Sequence, residues 1–234
     1  MRPRITGDGG QSPWPPGSLL AGLQEPARQR FLGLGARQQY ESGQVLIREG
    51  DLGTMVYLLL AGSVKVTGAT DGGDALLAIR VGGDLVGELA ALDGRPRLAT
   101  VTTAGPVVTR AIGRADFLYL LRRDPELALA VTRGVSDKLR VATSRRIEFS
   151  GCDVNTRLAR VLLDLAERYG QQAPAGRTIG CPLTQTELAT LAGAAEPTAQ
   201  RSLRQLKAEG IVATGYRVTT VLDMGALRKR AFPV

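Results

Sequence analysis

The sequence predicts an α+β architecture in three parts: an N-terminal double-stranded β-roll (jelly roll), one long helix and a C-terminal winged helix-turn-helix. Three observations predict it. Between Tyr40 and Gly113, short apolar or β-branched runs are punctuated by glycine turns, the pattern of an antiparallel all-β roll. From Asp124 an apolar stripe at helical spacing continues for about 26 residues, roughly 39 Å of helix. After Leu183, two short helical patterns joined by Gly193 precede a strand-rich segment broken at Gly215.

The elements follow in order. Residues 1–17, rich in Gly, Pro and Gln around a lone Trp14, are expected to form a flexible tail, although Trp14 between prolines could anchor on the body. Ser18 to Gln39 has helical spacing through Leu19, Leu20, Leu23, Phe31 and Leu34. The roll's expected strands are Val45–Ile47, Met55–Leu60, Ser63–Thr67, Leu76–Val81, Ala99–Thr103 and Val107–Ile112. The turns are Glu49-Gly50-Asp51, Ala61-Gly62, Asp71-Gly72-Gly73-Asp74 and Gly82-Gly83-Asp84.

Asp124-Pro125-Glu126 reads as a helix start, with a capping carboxylate, proline in the first turn and a second carboxylate near the positive end of the helix dipole. Leu127, Val131, Val135, Leu139 and Ala142 mark the stripe. A helix longer than the small roll can cover favours a helix–helix seam between two copies. The parts are thus a roll at 18–123, a dimerisation helix at 124–150 and a C-terminal module at 151–234.

In that module Asp153–Tyr169 is an amphipathic helix, with Val154, Leu158, Val161, Leu162 and Leu165 on one side. Thr184 with Glu187 forms a capping-box pattern for a short helix that Gly193 ends. Ala194-Ala195-Glu196-Pro197 opens a second helix running to Glu209, whose Leu203 and Leu206 face inward with Leu188 and Leu191. Ile211–Val221, broken at Gly215, fits a β-hairpin wing.

Composition removes whole classes of chemistry. The 234 residues contain no histidine, which excludes His-ligated metals and Ser-His-Asp or Cys-His catalysis. Two cysteines, Cys152 and Cys181, cannot hold a four-thiolate cluster and read as reduced cytosolic thiols. No apolar run approaches the ~20 residues that cross a bilayer, and the basic start Met1-Arg2-Pro3-Arg4 leads into no apolar signal core. A cytoplasmic protein without membrane contact, metal or covalent cofactor is expected, and not an enzyme. The net charge of +8 favours an anionic partner, but it is spread: residues 151–234 carry eleven Lys/Arg against seven Asp/Glu, and residues 1–150 nineteen against fifteen.

The segment Val86–Val101 carries the sharpest signal. It places Gly87, Glu88 and Arg97 in one short stretch between strand-like runs. Backbone N–H groups of a turn and one guanidinium can hold a phosphate, while a carboxylate accepts a ribose hydroxyl. Glycine lets the backbone come close. The triplet alone also fits an ordinary hairpin with a surface salt bridge. Its neighbours extend it: Gly87-Glu88-Leu89-Ala90, a connector, then Pro96-Arg97-Leu98-Ala99-Thr100-Val101 resembles the phosphate-binding cassette of cyclic-nucleotide-binding domains at both ends.

The resemblance implies that Glu88 takes the ribose 2′-hydroxyl and Arg97 the cyclic phosphate, with amides near Leu89, Leu98 and Ala99 completing the cradle. Leu98 departs from the small Ala, Ser or Thr usual in that family: its amide can still donate, but it brings no hydroxyl.

With the long helix and the C-terminal pattern, residues 20–225 resemble the catabolite-activator or Crp–Fnr family of transcriptional regulators. In those regulators the long helix is dimer interface and lid of the ligand pocket. By position Ala142 and Thr143 would face the base, and Ala142 lacks the hydroxyl often found there. The resemblance further implies double-stranded DNA, a second copy of the chain and RNA polymerase as partners.

The second helix of the pair is expected in the major groove. Arg201, which coincides with the family's base-reading arginine, would pair with guanine O6 and N7. Thr198 would contact phosphate and Gln200 adenine or phosphate, while Arg204, Lys207 and Arg217 would contact phosphates. Thr184 and Gln185, at the start of the first helix, are also expected to contact DNA. Glu196 and Pro197 stand where the family usually has Arg-Glu; Glu196 accepts from cytosine N4 or caps and tunes the helix.

The leading expectation is a homodimeric regulator that binds a palindromic operator under control of a cyclic nucleotide, cyclic AMP foremost. Two alternatives stay open. One is a family member that has lost this response and acts without it or with another ligand. The other is a cyclic-nucleotide-binding regulatory subunit acting through protein contacts.

Overall fold

The computed structural model describes residues 13–233, so the expected tail lies outside the described residues up to residue 12. Residues 13–17 are not a tail. The Trp14 indole is buried, donates from Nε1 to the Leu60 carbonyl at 3.0 Å and lies under the Arg28 guanidinium. A large ring with one polar atom gains most where the body hides the ring and accepts its N–H.

The chain divides into two compact units, residues 13–66 with 79–138, and residues 67–78 with 139–233. The first begins with α1 (Glu25–Leu32) and β1 (Ala36–Tyr40). Helix thus occupies only Glu25–Leu32 of the stretch 18–39 that contains short helical spacing. Gly33 caps α1 and Gly35 takes a left-handed turn, after which residues 36–40 pair antiparallel with β8 (Val107–Gly113).

The remaining strands of the roll are β2 (Val45–Ile47), β3 (Met55–Ala61), β4 (Ser63–Thr70), β5 (Gly73–Val81), β6 (Leu85–Val86) and β7 (Thr100–Thr103). They form two four-stranded sheets, β1-β8-β3-β6 and β2-β7-β4-β5. β3 shows how the layers are built. Val56, Leu58 and Leu60 point into a core with Trp14, Phe31, Ile112, Phe117 and Leu127. Tyr57 and Leu59 point the other way, onto Leu46, Ile47, Val64, Val86, Val101 and Val107. Alternate side chains leave opposite faces of a strand, so a strand between two cores reads as a continuous apolar run.

Two short helices went unread in the sequence: α2 (Glu88–Asp93) inside the cassette and α3 (Arg114–Arg123) after β8. The long helix α4 runs Pro125–Gly151, with Asp124 accepting from the Leu127 amide at 3.2 Å. Its apolar stripe is split between two fates. Leu127 and Val131 are buried in the roll's first core, whereas Leu139 is 67% exposed and Ala142 is also exposed.

The second unit contains α5 (Val154–Tyr169), β9 (Gly170–Ala173), β10 (Gly176–Ile179), α6 (Gln185–Leu191), α7 (Glu196–Ala208), β11 (Val212–Gly215), β12 (Val218–Val221) and α8 (Met224–Ala231). Asp153 caps α5 through the Thr156 amide at 2.9 Å. Leu158, Leu162 and Leu165 of α5 are fully buried, as are Leu188 and Leu227. The wing strands β11 and β12 extend into a four-stranded sheet, β11-β12-β10-β9. The tip of the β4–β5 hairpin belongs to this unit: the Leu76 amide donates to Thr190 Oγ1 at 3.1 Å, and Arg145 reaches the Leu77 carbonyl.

Candidate functional site

The cassette starts at Gly87, which caps α2 with φ +84°. A Cβ there would lie 2.7 Å from Arg97 Nη1 and 2.8 Å from Ile47 Cδ1, so both backbone conformation and space demand glycine. Glu88 opens the helix, only 3% exposed, and Arg97 is 5% exposed. The Arg97 backbone is clamped by the Glu-Gly-Asp turn: its N–H donates to the Asp51 carbonyl and its carbonyl accepts from the Gly50 N–H, each at 2.9 Å. Its guanidinium then reaches inward, donating to the Gly87 carbonyl at 2.7 Å and to the Met55 carbonyl. Burial pulls the pKa of this guanidinium down, opposed by Tyr57, Glu88 and Asp51.

Glu88 has a partner that sequence reasoning missed. Lys138 Nζ donates to Glu88 Oε1 and to the Leu85 carbonyl, both at 2.8 Å. Burial pushes the lysine below its usual range, while Glu88 pulls in the opposite direction. The signal was present: Lys138 follows Leu127, Val131 and Val135 along one face of α4, and a lysine in line with a core stripe needs a buried partner.

Gly87, Glu88 and Arg97 are thus brought together. Leu89 is partly exposed, Ala99 half-buried and Leu98 75% exposed. Ala142 and Thr143 lie on exposed turns of α4, in the second unit.

In the second unit, Thr184 and Glu187 form the full capping box, so the Thr184 hydroxyl is committed to the Glu187 amide at 3.1 Å. Gly193 turns the chain with φ +58°, and a Cβ there would meet the Phe149 ring at 2.7 Å. Ser202 of α7 hydrogen-bonds Asn155 of α5, fixing the second helix from behind.

The outer face of α7 is open. Thr198, Arg201, Arg204 and Lys207 are exposed, and among the described residues nothing pairs with the three cations. Gln185, Gln200, Arg204, Lys207 and Thr214 line one groove. The Glu196 carboxylate accepts from Thr186 Oγ1 at 2.7 Å and from Gln200 Nε2 at 2.9 Å. Thr186 was not singled out in the sequence.

In the wing, Gly215 pairs with Val218 around a two-residue turn. Arg217 takes φ +56° there, its carbonyl held by the Leu183 amide at 3.2 Å and its guanidinium over the Tyr216 ring.

Comparison with known proteins bears on both sites. The cyclic nucleotide-binding domain family matches residues 37–124 and the Crp-like helix-turn-helix domain family residues 156–230. The chain is 32% identical over 200 residues to the cyclic AMP receptor protein of Thermus thermophilus, covering 84% of this chain and 88% of the relative. The chain belongs to the CRP/FNR family of transcriptional regulators.

A second CRP/FNR relative, the CRP-like cAMP-activated global transcriptional regulator of Mycobacterium tuberculosis, is 29% identical over 193 residues, 82% of this chain and 86% of the relative. The fold matches the c-di-GMP-responsive global regulator CLP of Xanthomonas campestris with a TM-score of 0.73 at 24% identity, covering 86% of this chain and 100% of that one. CRP/FNR proteins are regulators that bind DNA, not enzymes, and the matched cyclic nucleotide-binding domain supports a nucleotide effector. No helix among the described residues is long and apolar enough to cross a membrane.

Proposed function

We propose that this CRP/FNR protein is a cytoplasmic homodimer that binds a palindromic operator under the control of a cyclic nucleotide, cyclic AMP foremost. Its functional parts are the roll at 18–123, the dimerisation helix at 124–150 and the reading module at 151–234. The observation that carries the reading is the burial of Glu88 and Arg97 at the two ends of a glycine-capped cassette. The printed names of the Thermus and Mycobacterium relatives support cyclic AMP as effector.

Arg97 would exchange the neutral carbonyl acceptors of Gly87 and Met55 for the anionic oxygens of a cyclic phosphate, which a planar guanidinium can meet with two parallel N–H donors. Glu88 would accept the ribose 2′-hydroxyl, with amides near Leu89, Leu98 and Ala99 on the phosphate and Ala142 and Thr143 toward the base. Binding would shift a two-state equilibrium in the packing of the long helix. Leu129, Leu139 and Ile147, all exposed on α4, suit a seam with a second copy.

Two copies would set two α7 helices in major grooves one turn apart. Arg201 would read guanine, while Thr198, Arg204, Lys207 and Arg217 would hold phosphates beside Gln200, Thr184 and Gln185, with RNA polymerase as the further partner. The Crp-like match over 156–230 favours this over a subunit acting through protein contacts.

A second reading, a regulator answering another ligand or none, is favoured by the Lys138–Glu88 pair and the bare Leu98 side chain. Calorimetry separates the two. Cyclic AMP should bind the wild type, and Arg97→Ala should weaken it by about 2–5 kcal/mol while the fold persists by circular dichroism. Unchanged binding would refute the role given to Arg97, and no heat with the wild type would favour the second reading. Duplex binding that weakens with salt tests the DNA half.

A further inference from the structure

The reading face of α7 carries one group of the wrong sign for a polyanion. Glu196 lies at its N-terminal end, on the same face as Gln200 and, further along, Arg204 and Lys207. Its carboxylate is not free to swing away: Thr186 Oγ1 and Gln200 Nε2 each donate to a different oxygen, at 2.7 and 2.9 Å. Each oxygen keeps a lone pair for a further donor, because an ionised carboxylate has about four acceptor sites. Thr186 is exposed, so the clamp lies at the surface and not in the core.

We propose that Glu196 is a specificity-determining residue that reads a cytosine amino group in the operator and rejects guanine there. The inference rests on the DNA-binding reading above. Phosphates repel a fixed carboxylate, so a place for it in the interface must offer donors. On the major-groove edge the donors are the exocyclic amines, N4 of cytosine and N6 of adenine. Adenine sets its N7 acceptor beside the amine, which an acceptor-only side chain cannot satisfy, whereas cytosine presents its donor alone. Guanine shows two neutral acceptors, O6 and N7, and offers the carboxylate no donor, so facing lone pairs and a desolvated, unpaired charge form a built-in penalty against the wrong site. Thr186 and Gln200 act as positioning residues that hold the acceptor in one geometry. The arrangement inverts the polarity that the cationic Arg201 offers guanine one helical step beyond Gln200.

The test is selection of operators by the full chain from a randomised duplex pool, with and without cyclic AMP, followed by sequencing. Wild type should enrich cytosine at one half-site position and disfavour guanine there by about tenfold or more. Glu196→Ala should flatten that position alone, and Glu196→Gln should move it toward adenine. The unaltered positions within the same pool report that the variants are folded. Retention of the wild-type preference by Glu196→Ala overturns the assignment and leaves the DNA-binding reading standing, as does salt-sensitive duplex binding by the wild type with no enrichment. No salt-sensitive binding to any duplex, in either condition, overturns both.

Discussion

The cassette of the first unit and the outer face of α7 in the second both carry cations, but they are built in opposite ways. Arg97 is buried and Lys138 half-buried, and their donors reach the carbonyls of Gly87, Met55 and Leu85 and the Glu88 carboxylate. Arg201, Arg204 and Lys207 stand in solvent with no partner among the described residues. A buried cation needs acceptors, here internal ones, so an anion entering the cassette would have to outcompete them, and shape and geometry would decide which one does. An exposed cation loses little on waiting and gains by neutralising phosphate, so its contribution is screened over a Debye length of about 8 Å at physiological salt. On the proposed function, the difference teaches where selectivity would reside: in geometry at the cassette, in the few fixed polar groups at the reading face.

The largest expected effect would break the comparison at its buried end. Lys138→Met should destabilise the protein by about 3 kcal/mol in urea denaturation, because it leaves the Glu88 carboxylate buried without its ion pair. Adding Glu88→Gln should recover most of that loss. Equal stability of wild type and Lys138→Met would place this pair with surface salt bridges, which contribute little.

In the second unit the sensitive point is the turn behind the reading face. Gly193→Ala should lower stability by about 1–3 kcal/mol, since the left-handed backbone and the Phe149 ring both oppose a Cβ. A melting temperature unchanged from wild type would show that the turn relaxes freely.

Asp153 adds a pH signature to the same unit. Hydrogen bonds from Thr156, the backbone amide first, hold its carboxyl below the ordinary carboxylate range. Its contribution is therefore fully present above the unfolded value, near pH 4, and is lost as pH falls through the lower folded value. Asp153→Ala should cost about 1 kcal/mol at neutral pH, and the gap to wild type should close in acid. A gap that persists in acid would assign the loss to packing instead.

The smallest effect belongs to the open surface. Lys207→Ala should leave stability within about 0.5 kcal/mol, weaken all duplexes alike and reduce the salt slope of binding by about one. A loss confined to one operator sequence would make Lys207 a base reader.

Much of this was legible because the signals were local. The glycine-punctuated strands, the Asp124 cap and the Thr184–Glu187 box depend on residues a few positions apart; the structure forms the cap and the box as read and the strands with shifted ends, β4 running on to Thr70 and β5 starting at Gly73 inside the expected Asp71–Asp74 turn. What escaped depends on distant partners. β9 and β10 have no apolar alternation in Gly170–Ala173 or Gly176–Ile179, and exist as strands because β10 pairs with β12, Thr178 and Thr220 sharing a hydrogen bond. Trp14 looked like part of a tail because its acceptor lies 46 residues away.

The same holds at the candidate sites. Glu88 and Arg97 were visible as a motif, but the ion pair with Lys138, 50 residues on, was not. Glu196 was visible as a departure from the family pattern; its clamp, Thr186, lies on the preceding helix, ten residues back.

The central claim is that an anion held in the cassette governs how the distant reading faces meet DNA. It is tested most directly by titrating cyclic AMP calorimetrically into the protein alone and into its complex with the selected operator. Linkage requires that operator binding change the cyclic AMP affinity by the same factor by which cyclic AMP changes the operator affinity, expected at roughly 5–150-fold. Identical cyclic AMP affinity with and without the operator would contradict the account.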